Sequence, residues 1–347
     1  MRLVYIILCI IAIWSSNCAL SQDIINKQII NDYTTFELIQ NEDTLSFIVA
    51  DTNLREEKPI LLFCQGSKPV PLIIKMNDGD TFVWGGGLSN FDYKEISSKF
   101  HIVVISSPHT PLIAEQTHLN NEFGYVTDTN YVHSFRKDYI LNDRLPVYID
   151  RANKVLQFVY NQSWSKKEPL IVAGHSQGAV IALELANTRN DVKGLGLLSL
   201  DPLGRMTYEI VGLRNQVATG KISSSEWEKR LEQVYDFVKQ YNDTSNWERN
   251  PSLHPWKSFS KMLVDDLIKV TCPIYIAYGG KDDKAASCDL LPIYFENNNK
   301  KDYIVKLYPD LEHNFFPVNK SNYENNESKW PEVMDEFYKW ITSKNEL

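Results

Sequence analysis

Gly174-His175-Ser176-Gln177-Gly178 sets a serine between two glycines, directly after the apolar run Leu170 to Ala173 and directly before the apolar helical stretch Ala179 to Ala186. A strand, a sharp turn and a helix in that order expose a serine hydroxyl at the tip of the turn, and the glycines leave room for strand and helix to meet. The hydroxyl is a weak nucleophile until a base takes its proton. Seven histidines are available. His175 sits inside the turn as packing, and His101 begins a strand. His118 and His133 lie in a long variable stretch, and His254 precedes Pro255. His109 and His313 remain as loop residues that follow strands, and His313 is favoured because its loop lies between the last strand and the last helix. A carboxylate must then hold the imidazole in one tautomer. Asp282 ends a strand through Gly279 and Gly280 and is the first candidate. Asp283 beside it and Asp201, before Pro202, are the alternatives.

These residues need a scaffold that brings loop ends together. Apolar runs recur at Pro59 to Cys64, Ile102 to Ile105, Leu170 to Ala173, Leu195 to Leu200, Ile274 to Ala277 and Tyr303 to Leu307. Continuous rather than alternating apolar character predicts strands covered on both faces, hence a largely parallel sheet. Between the runs lie helical periods, with Tyr148, Ala152, Val155, Leu156 and Val159 on one face and Val333, Phe337, Trp340 and Ile341 on another. Strands alternating with helices make the class α/β. An extended start from Phe36 to Asn53 precedes them. The segment between Leu200 and Ile274 is too long for a simple connection. In it Ser223 to Ser225 predict a helix cap, followed by the apolar stripe Trp227, Leu231, Val234, Val238 and Tyr241, which must bury itself on the core or cover a site.

In the order Ser176, Asp282, His313 the chain resembles the α/β-hydrolase superfamily over residues 59–341. That resemblance implies a mostly parallel central sheet of about eight strands with helices on both faces. It divides the chain into N-terminal strands at 22–58, a core at 59–203 and 270–347, and a helical lid at 204–269. It implies catalysis by Ser176, Asp282 and His313, and an oxyanion hole from the backbone N–H groups of Gln177 and Ser67. The loop that carries the second donor usually reads His-Gly and here reads Gln65-Gly66. The activity implied is ester hydrolysis through an acyl-enzyme, with a small-molecule ester or a peptide as substrate. A serine peptidase on the same fold and a non-catalytic binding protein are the competing functions. With a histidine base, activity is expected to fall as pH drops through about 6 to 7.

The rest of the sequence bounds the setting. Residues 1–21 combine Arg2, an apolar run from Leu3 to Trp14 and small residues ending Ala19-Leu20-Ser21, the pattern of a secretory signal peptide cleaved before Gln22. The apolar run is too short for a stable transmembrane anchor. Lipid attachment at Cys18 ranks below cleavage, and a secreted or periplasmic protein is expected. With 36 Lys and Arg against 44 Asp and Glu, and no basic run longer than Lys166-Lys167 or Lys300-Lys301, a nucleic-acid partner is disfavoured. Cys64, Cys272 and Cys288 show no zinc or redox spacing, so neither a metal nor a cofactor is expected. A disulfide at Cys272 or Cys288 stays open. A hydrophobic fraction of 43% excludes a disordered chain.

Overall fold

The structure, a computed structural model, describes residues 24–40, 43–131, 133–318 and 327–345. The expected signal peptide at 1–21 lies outside the described residues. In chain order the strands are β1 (Ile24–Ile30), β2 (Tyr33–Gln40), β3 (Asp43–Val49), β4 (Lys58–Cys64), β5 (Ile73–Lys75), β6 (Thr81–Val83), β7 (His101–Ile105), β8 (Ile113–Glu115), β9 (Ser165–His175), β10 (Val192–Leu198), β11 (Ile274–Gly279) and β12 (Tyr303–Tyr308). Nine of them form one sheet in the order β1-β2-β3-β7-β4-β9-β10-β11-β12. The first four are joined by antiparallel pairings, and β7 through β12 run parallel.

Every strand of the parallel block coincides with one of the six continuous apolar runs. The reason is visible in burial. Strand β11 is buried at every position and β4 at all but its first, because helices cover both faces. The edge strand β12 is only partly covered. The sheet has nine strands rather than about eight, and the addition is β1. Its centre, Asn26-Lys27-Gln28, breaks the apolar pattern because an edge strand with one wet face needs no continuous run, so periodicity gave no signal there.

One face of the sheet packs on the helices Leu145–Tyr160 and Gln177–Thr188, and the other on Trp330–Asn345. Tyr148, Ala152, Val155, Leu156 and Val159 are all buried, as are Val333, Phe337, Trp340 and Ile341. A three-stranded sheet, β6-β5-β8, stands apart from the main one. Cys64, Cys272 and Cys288 are all free and buried, where a thiol behaves as a small apolar group.

Between β10 and β11 run the helices Arg205–Ala218, Ser224–Asn242, Leu253–Phe259 and Val264–Lys269. Ser223 caps the second, its hydroxyl accepting from the Glu226 N–H at 3.1 Å. Of the stripe Trp227, Leu231, Val234, Val238 and Tyr241, only Tyr241 is buried and the others are half-buried. In the preceding helix only Leu213 is buried, so this pair of helices packs on itself without a core of its own.

Candidate active site

The site stands at the C-terminal end of the parallel strands. Strand β9 ends at His175, and Ser176 takes φ 56° and ψ −118° before the helix Gln177–Thr188 begins. This dihedral pair costs an L-residue energy and persists only where the surroundings enforce it. Here they do: the Ser176 N–H donates to the Leu198 carbonyl at 2.9 Å. The flanking glycines are obligatory for close approach. A Cβ at Gly174 would lie 2.2 Å from the Gly178 carbonyl oxygen, and one at Gly178 would lie 2.0 Å from that of Cys64.

The turn after β11 and the loop after β12 bring the other two groups to this point. Ser176 Oγ lies 3.0 Å from His313 Nε2, and His313 Nδ1 lies 2.6 Å from Asp282 Oδ2. The carboxylate only accepts, so Nδ1 carries the proton and Nε2 is left to take one from the serine. Asp282 is buried and its backbone N–H donates to the Gly279 carbonyl. Burial pushes its carboxyl up, but the hydrogen bond and charge of His313, with Lys284, hold it below the ordinary aspartate value.

His313 is fixed through its main chain. Its carbonyl oxygen accepts from His175 Nε2 at 2.9 Å and from the Ser199 hydroxyl at 2.8 Å, and the Glu312 carboxylate accepts the N–H groups of Asn314 and Phe316. His175 is therefore more than packing. Its ring also meets Phe315 and Trp330, and burial, then the neighbouring His313, lowers its pKa to about 3. A histidine that titrates near 6.5 when unfolded but near 3 when folded binds its proton more readily in the unfolded chain between those values. Stability from this group is complete above pH 6.5 and is lost as pH falls toward 3, at up to about 1.4 kcal/mol per pH unit. In urea unfolding at pH 7 and pH 5, His175→Gln is expected to shrink the stability difference between the two pH values by about 1 to 2 kcal/mol. An unchanged difference would remove His175 as its source.

Among the described residues, neither His109 nor the carboxylates of Asp201 and Asp283, which border the cavity at Ser176, hydrogen-bond to Ser176 or His313. His109 Nε2 pairs with Asn142 Nδ2 at 3.0 Å and its ring faces Asp43, beside a separate cleft. Asp283 is exposed. Asp201 is buried at the end of β10, but its carboxylate oxygens make no hydrogen bond among the described residues. Burial raises its pKa to about 6 against the pull of Lys284.

Ser176 sits where two cavities meet, of about 760 Å³ and 590 Å³, and His313 and Ser67 border both. The larger is walled by the helical segment after β10 through Arg205, Tyr208, Trp256 and Phe259. Trp227 and Trp247 are not among its walls, and pair instead with Arg214 and His254. The smaller is walled by Trp84, Gly86, Gly87 and Trp330. The three consecutive glycines of Trp84-Gly85-Gly86-Gly87 are the sequence signal for this wall, a sign that backbone must pass close to something. A Cβ at Gly86 would lie 2.5 Å from Val104. Among the described residues, the backbone N–H groups of Gln177 and Ser67 donate to no protein acceptor. Gln177 opens its helix, where such N–H groups have no intrahelical partner. The Gln65 amide donates to the Ile105 carbonyl at 2.7 Å.

The parallel order of the strands around this turn has a counterpart among solved structures. A protein from Klebsiella pneumoniae assigned as a dienelactone hydrolase is 11% identical, with a TM-score of 0.52 over 90% of this chain and 98% of that one. The chain has the α/β-hydrolase fold. An esterase from Pyrococcus furiosus (11% identity, TM-score 0.48, 92% of this chain and 95% of that one) and an acetyl xylan esterase from Paenibacillus sp. R4 (13%, 0.46, 92% and 87%) are more distant in shape. No protein-family model matches the sequence, and no curated protein matches it. The strand–turn–helix at Ser176, with Asp282 and His313 later in the chain, has the element order in which this fold can carry a nucleophile elbow, an acid and a base. Among the described residues no helix is long and apolar enough to cross a membrane, and no group of three or more His, Cys, Asp or Glu is placed to hold a metal ion.

Proposed function

We propose that this protein is a serine hydrolase that cleaves carboxylic esters through an acyl-enzyme. The observation that carries the reading is the continuous chain of contacts from Ser176 Oγ to His313 Nε2 and from His313 Nδ1 to Asp282 Oδ2, at 3.0 and 2.6 Å. Ser176 Oγ attacks the ester carbonyl and its proton passes to His313 Nε2. The carbonyl oxygen becomes an oxyanion that accepts from the Gln177 and Ser67 N–H groups. As the tetrahedral centre collapses, the C–O bond to the alcohol breaks and His313 returns the proton to the leaving oxygen. Water repeats the sequence on the acyl-enzyme, with His313 as base, and releases the acid. Asp282 stays ionised throughout and stabilises the imidazolium.

The meeting of two cavities at Ser176 fits a substrate with a group on each side of the scissile bond, acyl in one cavity and alcohol in the other. The helices between β10 and β11 wall the larger cavity and act as a lid, so they set which group it takes. We place the enzyme outside the cytoplasm, on the strength of the leader-like residues 1–21.

The test is labelling of the folded 22–347 protein with a fluorophosphonate, alongside rates on p-nitrophenyl esters and on aminoacyl p-nitroanilides. Wild-type labelling that disappears in Ser176→Ala, with turnover of the esters, is the expected result. Faster turnover of the anilides makes the enzyme a peptidase instead. A folded wild type that neither labels nor hydrolyses either set removes the enzymatic reading in favour of binding.

A further inference from the structure

The two groups assigned to the oxyanion hole come from different parts of the chain, Ser67 from the loop after β4 and Gln177 from the elbow. A buried polar cluster outside the catalytic chain touches both. The hydroxyl of Tyr139, the one buried residue of the helix Lys137–Asn142, donates to the Ser67 carbonyl oxygen at 2.7 Å. Next in sequence to that helix, Asp143 is 6% exposed, and its Oδ1 accepts from Gln177 Nε2 at 2.7 Å and from the Tyr148 hydroxyl at 3.0 Å. The other end of the Gln177 amide, Oε1, accepts from Arg205 Nη2 at 2.5 Å. Arg205 is the first residue of the helical segment after β10, and its guanidinium lies 5.5 Å from the Trp256 ring and 5.2 Å from the Phe259 ring. The Gln177 amide thus bridges the Arg205 guanidinium and the Asp143 carboxylate, whose charges also act on one another directly.

We propose that Tyr139, Asp143 and Arg205 are positioning residues that hold both donors of the oxyanion hole in register, Tyr139 through the Ser67 carbonyl and the Arg205–Asp143 pair through the Gln177 side chain. This inference rests on the hydrolase reading above. An amide clamped at both ends between opposite charges has one orientation, because reversing it would set its oxygen against a carboxylate and its NH₂ against a guanidinium. The peptide that carries the Gln177 N–H is thereby held where charge develops on the substrate, and needs no rearrangement during the reaction. Because Arg205 belongs to the segment that walls the larger cavity, the clamp also ties that wall to the elbow.

The consequence appears in the transition state and not in substrate binding. Tyr139→Phe removes one hydroxyl and keeps the ring. It is expected to lower kcat on a p-nitrophenyl ester roughly 10-fold with KM within about twofold of wild type, and to weaken a boronic acid, which forms a tetrahedral adduct on Ser176, by roughly the same factor. Gln177→Glu places a carboxylate against Asp143 and is expected to lower kcat roughly 100-fold. Adding Asp143→Asn to that variant supplies an N–H donor toward the new carboxylate and is expected to recover at least about 10-fold of the loss. Unfolding midpoints measured on the same samples separate mispositioning from misfolding. Wild-type kcat and boronate affinity in folded Tyr139→Phe, or a folded double variant with no recovery, overturns the clamp while leaving the hydrolase reading intact. A wild type that neither turns over esters nor binds the boronate overturns the hydrolase reading and takes the clamp with it.

Discussion

Ser176→Ala and His313→Ala are each expected to lower kcat/KM on an ester by roughly 10⁴- to 10⁶-fold, and the double variant is expected to be no slower than the worse of the two. The expectation comes from geometry. Ser176 Oγ and His313 Nε2 are 3.0 Å apart and share one proton, so removing either ends the same step. Asp282→Asn is expected to cost about 10⁴-fold, because an amide in place of the carboxylate at 2.6 Å can present N–H to Nδ1 and select the tautomer whose Nε2 already carries a proton. Steady-state rates of the four variants decide the matter. Losses that multiply in the double variant would mean that the two residues do not act as one unit.

The largest expected effect on stability is that of Gly178→Ala. The added methyl would stand 2.0 Å from the Cys64 carbonyl oxygen and 2.6 Å from that of Gln65, both main-chain atoms of β4 and the loop after it. Neither can yield without parting the elbow helix from the central strands. The loss is expected to be about 3 kcal/mol or more, a large share of the 5 to 15 kcal/mol by which domains are stable. Urea unfolding measures it. A variant within about 1 kcal/mol of wild type would show that helix and strand can separate without cost.

The parts of this molecule that could be read from the sequence share a physical basis. Six apolar runs became six parallel strands: five lie inside the sheet, where a strand covered on both faces has no wet side to encode, and the sixth, β12, is its partly covered edge. The stripes of the helices Leu145–Tyr160 and Trp330–Asn345 were legible because each buries a single face at a period near 3.6. The elbow was legible because its glycines answer to contacts within a few residues and with the strand beside it. Strand β1 was not, since its polar centre, Asn26-Lys27-Gln28, interrupts the apolar pattern. The stripe of the helix Ser224–Asn242 was visible, but its half-buried state depends on how little the neighbouring helix covers it.

By itself the sequence determined the α/β alternation, the serine at the tip of a strand–turn–helix, and a short choice of bases and acids. Those are properties of local pattern and residue chemistry. Only the tertiary structure decided among the candidates. It set His313, 137 residues from Ser176, at hydrogen-bond distance from it, and turned His109 toward Asn142 and Asp43 instead. It chose Asp282 over Asp201, and it joined Tyr139, Asp143 and Arg205 around Gln177. No local pattern encodes these contacts, because strand order in the sheet, and not distance along the chain, decides which loops share an edge.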